Sequence, residues 1–225
     1  MKLSGLAILA LLVASTACDT DPGKGKTHAV VAPASPSVEA PAAPALAPAS
    51  APAPMTGPAL YRLDDQNSRI EFVGAKVTRK HPGSFGGFRG TILIEDGDPT
   101  KGRVKVEIDM PTLSVDEPRL TGHLKTADFF DIDKFPRTTF VSSSVQATSG
   151  GYSVTGNLVL HGVSKSITFP AAIKVTADYV DVYSEFAINR KDFGIVYPGA
   201  PDDLIKDDVL IKLLIRAKKP QGNGP

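Results

Sequence analysis

The residues with the widest chemical reach gather between His123 and Asp133, with outliers at His81, His161 and Arg190. His123 lies beside an apolar helical stripe, where an imidazole can bond a ligand's head group, act as acid or base, or simply be held by a structural hydrogen bond. His161 sits in a Leu-His-Gly turn and His81 in a Gly/Pro-rich run. No two histidines have the H-x-x-x-H spacing of a compact metal pair. Asp128, Asp131 and Asp133 invite a calcium reading. An EF-hand loop from Asp131 needs Gly at its sixth position and Glu at its twelfth. Pro136 and Ser142 stand there, so capping and turn formation are the expected roles. Arg190, in Asn189-Arg190-Lys191-Asp192, could pair a phosphate or quinone oxygen at a cavity mouth. The more ordinary alternative is a structural lock on Asp192 or on backbone. There is no G-x-S-x-G elbow, no P-loop and no catalytic cysteine. No catalytic residue, resident cofactor or metal is therefore assigned.

The elements that must position these groups are mostly strands. From Ala59 to Ala217 the pattern has period two. Val104, Val106, Ile108 and Met110 alternate with Arg103, Lys105, Glu107 and Asp109, as in an antiparallel sheet wet on one face. Similar rows run through Phe88–Glu95, Thr138–Ala147, Tyr152–Leu160, Ser164–Ala177, Val180–Ile188 and Asp208–Ala217. Lys80–Gly87 and Lys191–Lys206 read as loops. One helical excursion falls near residues 117–128, with Asp116 as N-cap and Leu120, Leu124 and Ala127 on one stripe. The burst Phe129, Phe130, Phe135 and Phe140 follows it. Eight or nine strands fit either a sandwich or a closed up-and-down barrel, which removes exposed edges. Gly90, Gly156, Ala171 and Ser184 on inward rows leave room for a ligand or fit the taper of a filled barrel.

The chain has 225 residues and a net charge of +1, which does not favour a polyanion, so nucleic acid is not the expected partner. Residues 1–17 read as a signal peptide: Lys2, the apolar run Leu3–Val13, then small residues. That run is shorter than the ~20 residues a membrane span needs. Cys18 is the only cysteine, so no internal disulfide forms. Ser15-Thr16-Ala17-Cys18 resembles a lipobox, although Ser15 stands where Leu is usual. Cys18 is thus the expected acylation site of a lipoprotein on the periplasmic side of a bacterial envelope. Asp19–Pro58 holds nine prolines and eleven alanines, too little apolar side chain to offset ordering entropy. Residues 18–58 are expected to be an anchored, disordered linker, on the order of 120 Å when extended at ~3.1 Å per residue. The folded domain is expected over 59–218, with a flexible tail at 219–225.

Four stretches in order carry a family resemblance. They are Gly122–Asp131 (GHLKTADFFD), Phe135–Phe140 (FPRTTF), Gly156–Lys165 (GNLVLHGVSK) and Phe186–Ile195 (FAINRKDFGI). Together they resemble the YceI-like lipid- and polyisoprenoid-binding proteins over essentially Tyr61–Lys218. The resemblance implies a mainly β, lipocalin-like antiparallel barrel of about eight strands around a long apolar pocket. It also implies an amphipathic ligand with an isoprenoid tail, a polyprenyl phosphate or a quinone. Such a ligand needs a dry tunnel with polar groups only at the mouth. The candidate lining is Phe72, Phe88, Ile92, Val106, Ile108, Leu120, Leu124, Phe129, Phe130, Phe140, Leu158, Phe169 and Phe186, with His123 and Arg190 as candidate head-group contacts. Phe129 or Phe130 is expected to face the interior. The partners expected are that lipid and the membrane, through the acyl anchor, with a homodimer left open. Two rival readings are an envelope enzyme using His123 or His161, and a solid barrel that serves as a protein-binding adaptor.

Overall fold

A computed structural model describes residues 20–34, 57–201 and 203–220. The signal peptide, Cys18 and most of the Pro/Ala-rich stretch lie outside the described residues. In chain order the strands are β1 (Val30–Pro33), β2 (Pro58–Asp64), β3 (Arg69–Ala75), β4 (Lys80–Phe85), β5 (Phe88–Glu95), β6 (Asp98–Asp109) and β7 (Leu113–Val115). After helix α1 (Pro118–Leu124) come β8 (Arg137–Thr148), β9 (Gly151–Leu160), β10 (Val163–Val175), β11 (Tyr179–Asn189), β12 (Gly199–Ala200), β13 (Asp203–Leu204) and β14 (Asp208–Lys218).

Period-two alternation buries one row per strand, and short turns bring neighbours together antiparallel. Asp96-Gly97 and His161-Gly162 both have positive φ at each residue, the backbone of a two-residue hairpin turn matched to strand twist. Strands β2, β5, β6, β8, β9, β10, β11 and β14 pair in that order, and β14 returns to β2, giving a closed eight-stranded antiparallel barrel. The β14–β2 contact is a single pair, Lys218 with Arg62; the other half of β14 pairs with β3. There the wall branches into β3, β4 and β7. A sandwich is thereby excluded.

Three local expectations need correction. Lys80–Phe85 is a strand, not a loop. Its Gly content reads as a loop, but Gly83 serves packing: a Cβ there would stand 2.4 Å from the Phe72 ring. The helix is shorter than 117–128 and has no side-chain cap. Asp116 is instead held by His81, with Nδ1 and Oδ1 3.0 Å apart. The helix stops because the Thr126 hydroxyl donates to the His123 carbonyl at 2.8 Å and the chain reverses. Finally, the stretch after β11 opens with a 3₁₀ turn over Arg190–Phe193 and contains the small β12–β13 hairpin.

The largest correction concerns the linker. Composition assigns Asp19–Pro58 to it, yet Thr20–Ala34 lies on the barrel. Strands β10 and β11 pair only between Ala172–Val175 and Val180–Tyr183. Beyond that they part, and the N-terminal segment fills the seam. β1 pairs with Lys165–Thr168 of β10. On its other side the Ala187 amide donates to the Thr27 carbonyl at 2.9 Å, and the Ala29 amide to the Ala187 carbonyl at 2.8 Å. Lys26 pairs with Glu185, and His28 stands 3.5 Å from Asp208. Free strand edges in the seam offer backbone bonds that composition cannot reveal. Ala29 is 9% exposed and joins the core around Ile167 and Phe186. An Ala29→Asp variant would bury a carboxylate there. Amide exchange at Ala187 is expected to quicken by about tenfold or more, read by hydrogen–deuterium exchange. Unchanged protection would mean that the segment does not hold the seam.

Candidate functional site: an apolar lumen

The inward rows leave the barrel hollow. A lumen of about 200 Å³ runs between two packed clusters, one around Phe169 and Phe186 and one around Tyr61 and Ile92. Gly156 helps to shape it: a Cβ there would meet the Phe140 ring at 2.5 Å, so glycine lets that ring lie against β9. Phe140, Phe169 and Phe186 then form a run of rings, with Phe169 and Phe186 stacked at 4.4 Å between centroids. A second chamber of about 90 Å³ lies under α1 and shares Phe72, Phe130, Arg190, Ile195 and Val209 with the lumen. It adds His81, Lys76 and Lys206 to its lining, so polarity rises toward the helix end of the barrel.

Most of the expected lining falls where the alternation puts it. Phe72, Ile92, Val106, Ile108, Phe130, Phe140, Leu158, Phe169 and Phe186 line the lumen. Leu120, Leu124 and Phe129 line the smaller chamber. The helix stripe and the Phe pair therefore cover one end of the cavity, and Phe130 faces the interior. Phe88 lines neither chamber. It opens β5 directly after the Gly86-Gly87 corner, and its ring is buried in the cluster around Tyr61.

The polar candidates divide. His123 lines neither chamber: its Nε2 lies 3.0 Å from an Asp128 carboxylate oxygen, and its ring meets Phe129 and Tyr197 edge-on. His161 is engaged as well, with Nδ1 3.1 Å from the Phe193 carbonyl and its ring against Phe135. Arg190 does reach both chambers and is only 5% exposed. Its guanidinium is bound as a lock. Nε donates to the Lys206 carbonyl at 3.2 Å, Nη1 to the Ile195 carbonyl at 2.7 Å and Nη2 to Asp207 at 3.1 Å. The acidic partner is Asp207, not the Asp192 that sequence proximity suggests. Burial pulls the Arg190 pKa below its ordinary value, and the Asp207 charge opposes that shift.

Thr138 and the β14 row Val209, Ile211, Leu213 and Ile215 also line the lumen, and sequence reasoning did not nominate them. The β14 row was visible in the alternation. So was Thr138, two residues before Phe140 and hence on the same face of β8.

The geometry of a closed barrel with an apolar lumen can be set against known proteins. The family model of the YceI-like domain matches residues 61–217. The chain belongs to the YceI-like family. Protein YceI of Salmonella arizonae is 30% identical over 161 residues, covering 65% of this chain and 83% of that protein. Among solved structures, BcnA of Burkholderia cenocepacia superposes with a TM-score of 0.63 at 22% identity, covering 69% of this chain and 99% of that one. A polyisoprenoid-binding domain from Saccharophagus degradans, implicated in plant cell wall breakdown, gives 0.57 at 17% identity, covering 72% and 99%. The YceI-like match begins at Tyr61, so the seam-filling segment lies outside it.

Proposed function

We propose that this YceI-like protein is an envelope binding protein that holds an amphipathic lipid with an isoprenoid-type tail, such as a polyprenyl phosphate or a quinone, inside the barrel. The observation that carries this reading is the lumen, whose lining side chains among the described residues are all apolar apart from Thr138 and Arg190. Such a space excludes water and rewards hydrocarbon at about 25 cal/mol per Å². The polyisoprenoid-binding description of the Saccharophagus degradans domain supports it. A hollow barrel speaks against the solid adaptor. His123 and His161, the bases an enzyme would need, are engaged elsewhere and line neither chamber.

Export and acylation at Cys18 belong to the same proposal. The Thr20 hydroxyl donates to the Val77 carbonyl at 2.9 Å, at the helix end of the barrel. Cys18 stands two residues earlier, within about 7 Å of extended chain. An acyl anchor there would hold that end of the barrel close to the bilayer. The Pro/Ala-rich stretch joins β1, in the seam, to β2 of the barrel, so on this reading the tether is the short segment before Thr20.

Binding of geraniol, farnesol and geranylgeraniol to the full mature chain tests the reading. At about 0.8 kcal/mol per buried CH₂, affinity is expected to climb steeply with each isoprene unit and to level off once the two chambers are full. Equal affinity across the series would show that the tail is not inside.

A further inference from the structure

The Thr138 hydroxyl is the one buried side-chain polar atom without a hydrogen-bond partner among the described residues. The residue is 4% exposed, on the second position of β8 and opposite Ile108 of β6. Together with Phe140, two residues on, it lines the lumen. Thr139, between them, has its backbone paired across to Val159 and Glu107 and lies on the other face of the strand. A buried hydroxyl that bonds nothing is a net cost to the fold, because it gives up water and gains no partner. Valine has the same shape and would remove that cost. Threonine therefore needs a reason, and the lumen beside it supplies one.

We propose that Thr138 is the specificity-determining hydrogen-bond partner for a neutral oxygen on the lipid. This inference rests on the lumen being the lipid site and narrows the ligand's head-group class to an alcohol or a quinone carbonyl. Among the described residues no polar atom reaches the lumen surface in this structure. One χ1 step of the Thr138 side chain exchanges its methyl for the hydroxyl, a move between ordinary staggered rotamers. The hydroxyl then donates to a carbonyl or exchanges a hydrogen bond with an alcohol. It offers nothing to balance a phosphate's charge. Among the described residues the only cation in the lumen lining is Arg190, whose charge is answered by Asp207 and three of whose five N–H bonds are engaged; Lys76 and Lys206 line only the smaller chamber, which Thr138 does not line. Burying a dianion beside it would leave net charge unpaired in an apolar space. Thr138 stands second in β8 and Arg190 follows β11, at the helix end of the barrel. The oxygen is thus placed near the antechamber, and the tail runs toward Leu63, Ile92 and Ile215.

The test uses the full mature chain and its Thr138→Val variant, with farnesol, farnesyl phosphate and the bare hydrocarbon farnesane as probes. Farnesol is expected to bind the variant about three- to tenfold more weakly than the parent, the net worth of one hydrogen bond. Farnesane is expected to bind both chains equally, and farnesyl phosphate more weakly than farnesol to the parent. Without ligand the variant is expected to melt at the same temperature or about 2–4 °C higher. Equal farnesol affinity in the two chains, with farnesane still binding, overturns the role of Thr138 and leaves the lipid site standing. Tighter binding of farnesyl phosphate than of farnesol overturns the neutral head group. A variant that melts lower by roughly 4 °C or more shows that the hydroxyl has a structural partner and also overturns it. If neither farnesol nor farnesane binds the parent, the lumen is not a lipid site and both readings fall.

Discussion

A Val106→Trp variant is expected to fold and to lose at least about 50-fold in affinity for an isoprenoid ligand. Val106 lies on β6 between Gly90 of β5 and Phe140 of β8, and its side chain lines the lumen. In a filled core the added volume would cost about 1–3 kcal/mol in strain. Here the indole has a lumen of about 200 Å³ to enter. It occupies the space of several ligand CH₂ groups, each worth about 0.8 kcal/mol when buried. Displacing three of them already corresponds to roughly 2.4 kcal/mol. The natural chain has no tryptophan, so the new indole also reports on its own surroundings. Blue-shifted emission that ligand no longer changes is the expected signature. Full-strength binding with the indole buried would show that the ligand sits outside the barrel.

The second large effect concerns stability rather than binding. Arg190→Met keeps the apolar stem and removes the guanidinium that ties β11 to the chain before β14. The Ile195 and Lys206 carbonyls lose their donor, and Asp207 loses one of its two cations; Lys191 remains 2.8 Å away. Breaking a buried pair costs about 3–5 kcal/mol when the survivor stays buried. Asp207 is 39% exposed at its side chain and can be rehydrated, so about 2–4 kcal/mol is expected. For a domain of this size that lowers the melting temperature by roughly 4–16 °C. Arg190→Lys is expected to recover little, because one ammonium cannot span two carbonyls and a carboxylate in the same fork. A loss under about 1 kcal/mol in denaturant titration would mean that the lock is ornamental.

The barrel was legible because half-buried antiparallel strands write their inward rows as every second residue. Phe140, Leu158 and Phe169 follow from that rule alone. What stayed illegible depends on partners distant in sequence. β4 reads as a loop because Gly83 is explained only by the Phe72 ring across the sheet. Thr27–Pro33 reads as linker because its bonds are backbone bonds to a seam that exists only after β10 and β11 have parted. Arg190 reads as a lock, but Asp207 is recognisable as its partner only once β14 has folded beside β11. Phe88 obeys the alternation and still misses the lumen, since period two fixes a face and not the depth along the barrel. Thr138 was hidden for another reason. A threonine in a strand is unremarkable until its hydroxyl is found without a partner.

The central claim is that the lumen holds a long apolar lipid. Native mass spectrometry of the full-length protein, purified from its own host's envelope, tests it most directly. The expected result is one lipid per chain, released by organic solvent and identified as an isoprenoid chain with an oxygen at one end. A protein that emerges at the mass of its chain and any acyl anchor alone, with the lumen closed by its own side chains in a crystal structure of the same preparation, would contradict the claim.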